Sequence, residues 1–252
     1  MKYLLYYLFI FNITLSEIRY ESGSLSGFFS SESPNSSYDN WISHVTEGIA
    51  IEGYNDYGPD WLDIQSNGFG SYRRLNENSG TLAYWDIVFQ HFINHNTTIV
   101  DSLLSDSLDS FFYEIVIFED TVLNKVFHML REQLDTSFVD ANQIENEQDD
   151  VIGSFRNSWG LYIIDPNANY EQVLIQVPHP CDDFIAPYVA MDLFIEIEAF
   201  GFMIHGAGRE VEWTQVGDYS NNKSLSDPSR YQHTVFQKFQ ESLNRLSTIE
   251  VL

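Results

Sequence analysis

Residues 173–184 read VLIQVPHPCDDF, an apolar run that stops at Pro178 and gives way at once to reactive groups. Val173, Leu174, Ile175 and Val177 have the aliphatic, largely β-branched character of a buried strand. His179, Cys181, Asp182 and Asp183 then follow within five residues. A strand that ends in this way asks what its neighbours are.

Upstream, LYIID (161–165) is a second apolar strand, separated from the first by a Pro-Asn-Ala-Asn turn region. Downstream, the spacing predicts a helix over 187–199, with Pro187 in its first turn and Val189, Leu193, Ile197 and Phe200 on one face. Gly201 is expected to end it, and FMIH (202–205) to form the next strand. Strand, loop, helix, strand is a parallel crossover unit. The expected class is therefore α/β, with a mixed or mostly parallel sheet and flanking helices.

Ligands in open α/β sheets bind beyond the carboxyl ends of the strands. The PHPCDD segment follows one such end, and His205-Gly-Ala-Gly-Arg209-Glu210 follows the next. A single crossover places both loops on one edge, so the two polar clusters converge.

Elsewhere the periodicity predicts a helix over 82–95, a second over 119–135 marked by Val122, Val126, Met129 and Leu130, and a long C-terminal helix. Asp227-Pro228 reads as the start of that last helix, and Val235, Phe239, Leu243 and Leu246 as its stripe. Residues 17–80 read as short strands and loops. Residues 1–16 resemble a secretory leader, with Lys2 before an apolar stretch, so the expectation is a secreted or periplasmic protein whose residues 17–252 form one domain. No later run is long and apolar enough to span a bilayer.

The 252 residues carry 12 Lys and Arg against 37 Asp and Glu, a formal charge of −25. That field repels nucleic acid and anionic membranes. With one cysteine, Cys181, the chain cannot form an internal disulfide. Asp182 and Asp183 would raise the pKa of that thiol, which argues against a cysteine nucleophile.

The convergent loops offer metal chemistry instead. His179 and Asp183 are candidate zinc ligands, with His205 or His233 as a third; a catalytic zinc takes three protein ligands and keeps an open position for water. Here His205 is assigned to the metal and His233 to the substrate side. Glu210 and Asp227 are the candidate catalytic carboxylates. Arg209 and Arg230 are the candidate grip on a substrate carboxylate, since guanidinium binds carboxylates in a bidentate fork. The expected partner is a small anionic molecule or peptide. His91 and His95 have zincin-like spacing but lack the Glu after the first histidine, Phe92 standing there.

PHPCDD followed by a helix and then IHGAGRE resembles the arrangement in N-formylglutamate amidohydrolase-like hydrolases and in exported bacterial proteins with a PHPxxD element. The resemblance covers about residues 158–245. It implies a phosphorylase/hydrolase-like α/β fold and a metal-dependent amidohydrolase activity, and it carries over to His179, Asp183, Arg209 and Asp227. Two positions depart from the pattern: Gly208 stands where such loops have a histidine, and Arg230 stands where the DxxH element has its own. These losses leave a second expectation open, a binding or cell-surface protein on the same frame that has lost catalysis.

Overall fold

The computed structural model describes residues 18–29, 72–75, 80–106, 111–133, 144–145, 151–153, 155–180, 185–207 and 225–246. The expected leader at 1–16 lies outside them. Among the described residues no helix is long and apolar enough to cross a membrane.

The fold is α/β. Six strands form one mixed sheet: β1 (Arg19–Gly23), β2 (Tyr113–Asp120), β3 (Lys125–Glu132), β6 (Leu161–Ile164), β7 (Tyr170–Val177) and β8 (Ala199–Ile204). Their order across the sheet is β1-β2-β3-β6-β8-β7. Strands β4 (Ile144–Glu145) and β5 (Val151–Gly153) pair separately. The outer pairs β1/β2 and β7/β8 are parallel, and the three inner pairings are antiparallel.

Strand alternation assigns the two faces. Tyr113, Ile115, Leu130, Tyr162, Ile164 and Met203 face one core, which is covered by helices α2 (Gly80–Ile93), α3 (Thr97–Asp106) and α5 (Val235–Leu246). Val116, Phe118, Phe127, Met129, Leu161, Ile163, Phe202 and Ile204 face the other, covered by α1 (Leu25–Phe29) and α4 (Ala186–Glu196). Phe89 of α2 packs with Tyr162 and Phe239 across the first core, and Trp85 packs against Phe89. Asp86 clasps α5 at its rim, accepting from Ser242 Oγ at 2.7 Å and from Arg245 at 2.7 Å.

The expected crossover is present: β7, α4 and β8 follow one another, and β7 and β8 are parallel neighbours. The strand at 161–165 pairs antiparallel with β8 rather than with β7. Three other expectations are corrected. The helix expected over 119–135 is instead the turn and second strand of the β2–β3 hairpin. Asp120 is the reason: one carboxylate oxygen accepts the N–H groups of Val122 and Leu123 at 2.8 and 2.7 Å, the other that of Leu25 at 2.7 Å. Asn124 then turns the chain with φ 54°, a conformation Asn tolerates better than most residues. Met129 and Leu130 consequently face opposite cores.

In α4 the buried side chains are Pro187, Met191 and Phe194, whereas Val189 and Leu193 face outward. Asp192 and Glu196 lie on the outward side with Val189 and Leu193, so the apolar stripe expected from spacing is not the buried one. Glu198, at φ 52°, turns the chain into β8, which begins at Ala199 and runs through Gly201. Finally, α2 ends at Ile93, and His95, at φ 61°, has left the helix and meets the ring of His128 at 5.6 Å.

Candidate functional site

Parallel pairing puts the carboxyl ends of β7 and β8 side by side, with Val177 opposite Ile204. The ladder continues one bond further, from the His205 N–H to the Val177 carbonyl at 3.0 Å. His179 and His205 therefore emerge on the same edge. Leu161, at the start of antiparallel β6, lies opposite Ile204 on that edge as well.

The loop before α5 closes over this edge. The helix expected to begin at Asp227-Pro228 begins instead at Val235, where Thr234 Oγ1 caps it by accepting the Gln237 N–H at 3.1 Å. Residues 227–231 form a turn organised by Asp227, whose carbonyl accepts the N–H groups of Arg230 and Tyr231. Its carboxylate accepts the Ser229 N–H at 2.8 Å. The same oxygen lies 2.9 Å from His179 Nε2, which Ser229 Oγ approaches at 3.2 Å. The other oxygen, Oδ2, meets Arg230 Nε at 3.4 Å.

Asp227 is buried, and burial pushes its pKa upward. The hydrogen bonds from His179 and the Ser229 backbone, with the charges of His179 and Arg230, outweigh burial and hold the carboxyl below its ordinary value. Asp227 is thus an anion fixed under His179. Both Asp227 and Ser229 address Nε2, so this is not a serine relay, in which the carboxylate takes Nδ1 and the serine Nε2. With Asp227 holding the Nε2 proton, Nδ1 is the nitrogen left to act as a base.

His205 lies beneath, at 0% exposure, its ring between Tyr72 and Phe236 with centroids 5.7 Å from each. Among the described residues no group completes a hydrogen bond to either of its nitrogens. Burial lowers its pKa to about 4, against the approaching Ser226 backbone and Asp227, which favour the cation. His205 is a neutral, enclosed imidazole. His233 packs on Tyr231 at 5.2 Å and faces Gln232.

Of the residues expected at the site, His179, His205, Asp227 and Arg230 come together, while Asp183, Arg209 and Glu210 (with Cys181) lie outside the described residues. A zinc ion does not fit the described donors. His205 is enclosed, the second oxygen of Asp227 is on Arg230, and no group of three His, Cys, Asp or Glu among the described residues is arranged to hold a metal.

Sequence reasoning passed over a buried acid on the same edge. Glu132 ends β3, and its Oε1 accepts the Asn157 N–H at 2.6 Å and Asn157 Nδ2 at 2.9 Å. Burial raises its pKa to about 8, against the backbone N–H groups of Asn157, Trp159 and Ser158, which favour the anion. It anchors loop 155–160, which in turn braces the end of β8. At Gly160, φ is 111°, and an added Cβ would lie 2.3 Å from the Ile204 carbonyl oxygen. The same loop holds residues 72–75, through Arg73 N–H to the Asn157 carbonyl at 3.0 Å and Trp159 Nε1 to the Arg73 carbonyl at 2.7 Å. Tyr72, against His205, belongs to that segment. Residues 125–132 read KVFHMLRE, with no apolar-polar alternation, so the sequence carries no signal that Glu132 is a strand residue on the face of Leu130, towards the first core.

Comparison with protein-family models, with curated proteins and with solved structures returns no match.

Proposed function

We propose that this chain is a hydrolase of amide or peptide bonds in carboxylate-bearing substrates, with His179 as the proton-transfer group. The observation that carries the reading is the 2.9 Å contact between His179 Nε2 and the buried Asp227 carboxylate, at the carboxyl ends of two parallel strands. The resemblance of PHPCDD and IHGAGRE to N-formylglutamate amidohydrolase-like enzymes supports the same class.

Asp227 keeps the His179 ring oriented. Nδ1 takes a proton from a water molecule as the water oxygen bonds to the substrate carbonyl carbon. The C–N bond then breaks, and the proton passes from His179 to the departing nitrogen. Proton transfer of this kind contributes about 10²–10⁴ in rate. Arg230, with Nε on Asp227 and its side chain 59% exposed, offers its remaining N–H groups to a substrate carboxylate.

A second reading has its own support. Arg230 stands on the oxygen of Asp227 that a metal would require, which suits a binding or cell-surface protein that has given up catalysis. Zinc would need a third donor from Asp183 or Glu210. Metal analysis of the purified chain, with release of amine from N-formylglutamate and acidic dipeptides, separates these readings. Turnover that falls at least about 100-fold in His179→Ala supports the hydrolase. Stoichiometric zinc lost in the same variant would make it a zinc enzyme. Binding of these ligands without turnover supports the second reading.

A further inference from the structure

The outer face of α4 is apolar where a surface helix is ordinarily polar. Ile185, Tyr188, Val189 and Leu193 are 59%, 42%, 57% and 42% exposed. At 100° per residue these four side chains fall on one side of the helix, opposite the buried Pro187, Met191 and Phe194. Single exposed apolar side chains are ordinary, but a contiguous row of them on one element marks a surface that is covered in use.

Asp192 and Glu196 are exposed within the same row. They are spaced i, i+4, a like-charge arrangement that destabilises a helix left to itself. Among the described residues neither has a basic partner, and α4, β7 and β8 contain no Lys or Arg. The face combines apolar anchors with two carboxylates that no described Lys or Arg pairs.

We propose that the outer face of α4 docks a basic amphipathic helix of another protein, whose apolar side chains cover Val189 and Leu193 and whose Lys or Arg side chains pair with Asp192 and Glu196. Charge selects this occupant. A second copy of the chain would bring two acidic rows together in molecules of formal charge −25, and an anionic membrane would be repelled in the same way. A cationic helix removes the repulsion between Asp192 and Glu196 and buries the apolar row in one step. The proposal is independent of the chemistry at His179.

The test uses the full chain and a synthetic helix of repeating Leu-Lys-Lys-Leu-Leu-Lys-Leu, titrated by calorimetry, with sedimentation of the chain alone. Binding should weaken with added salt, and should fall at least about tenfold in the Val189→Lys/Leu193→Lys variant and comparably in Asp192→Lys/Glu196→Lys. Oligolysine of equal charge, and the same helix with Glu in place of Lys, should bind at least about tenfold more weakly. Equal affinity for wild type and both variants would overturn the proposal in favour of diffuse charge attraction. A dimer in sedimentation that Val189→Lys/Leu193→Lys dissolves would overturn it in favour of a second copy. Circular dichroism of each variant confirms that α4 is retained, and having two variants on different residues keeps the test decisive if one misfolds.

Discussion

His179 Nε2 and Asp227 Oδ1 stand 2.9 Å apart across 48 residues of sequence, one at the end of β7 and the other in the turn before α5. The turn places this oxygen twice over, since it also accepts the Ser229 N–H at 2.8 Å. Asp227→Asn removes the anion from beneath His179 and Arg230 together. The expected cost is about 1.5–3 kcal/mol, the range for a hydrogen bond to a charged group. The folded-state pKa of Asp227 is depressed, so its contribution is present above the unfolded value and is lost as pH falls through the folded one. Urea titrations at neutral pH and at successively lower pH should show the gap between wild type and variant narrowing in acid. A gap that persists unchanged would mean that the carboxylate charge contributes nothing.

Glu132 works in the opposite direction. Its pKa is raised from 4.5 to about 8, so the stability it contributes is fully present below pH 4.5 and is lost as pH rises through 8. Glu132→Gln keeps an oxygen for the Asn157 N–H and cannot ionise. Relative to wild type the variant should gain stability from pH 5 to pH 9, by an amount on the order of a few kcal/mol. Parallel urea midpoints across that range would show instead that the native acid titrates normally.

The parts of the molecule that could be read from sequence are those in which local pattern and tertiary role agree. The VLIQV run, the proline after it and the next apolar run were enough to anticipate a parallel crossover, and the crossover brings His179 and His205 to one edge. Segment 125–132 shows the opposite case. Val126, Met129 and Leu130 fit a helical stripe, but the hairpin is decided by Asp120 capping its own turn and by Asn124 reversing the chain, neither of which alters hydrophobic spacing. Glu132 was hidden for the same reason, since a charged residue at the end of a supposed helix reads as surface. The inner face of α4 was obscured because Val189 and Leu193, apolar at helical spacing, share the outward side with Asp192 and Glu196. Ser229 carries no signal of its own and enters the site only because Asp227 bends the chain at that point.

Burying His205 has a pH signature of its own. Its pKa falls from 6.5 to about 4 on folding, so the associated stability is present above pH 6.5 and is lost as pH drops towards 4. His205→Phe retains a ring between Tyr72 and Phe236 and removes both ring nitrogens. The variant should match or exceed wild type at pH 7 and lose less stability on acidification to pH 4. Loss of several kcal/mol at pH 7 would show that an imidazole nitrogen has a strong partner, on the scale of a buried group left unpaired.

Gly206 connects the two histidines to the Glu132 loop, and replacing it tests whether they form one unit. A Cβ at this position would lie 2.6 Å from both the carbonyl carbon and oxygen of Ser158, and 2.7 Å from the Gly160 nitrogen. All three are backbone atoms, so no side-chain rotation relieves the clash. Either loop 155–160 retreats from Glu132, or the turn after β8 lifts His205 away from Tyr72 and Phe236. Gly206→Ala should therefore cost roughly 3 kcal/mol or more, at the upper end for a single substitution. In protein that still folds, the two movements differ in their pH signatures. Retreat of the loop lets water reach Glu132 and abolishes the loss of stability between pH 5 and pH 9, whereas displacement of His205 abolishes the loss between pH 6.5 and pH 4. Gly80, at the start of α2, is the control, because a Cβ there meets nothing within 4 Å and Ala should stabilise the helix by up to about 1 kcal/mol. If Gly206→Ala proved as stable as wild type, with both pH signatures intact, loop 155–160 could not be what holds the end of β8 in place.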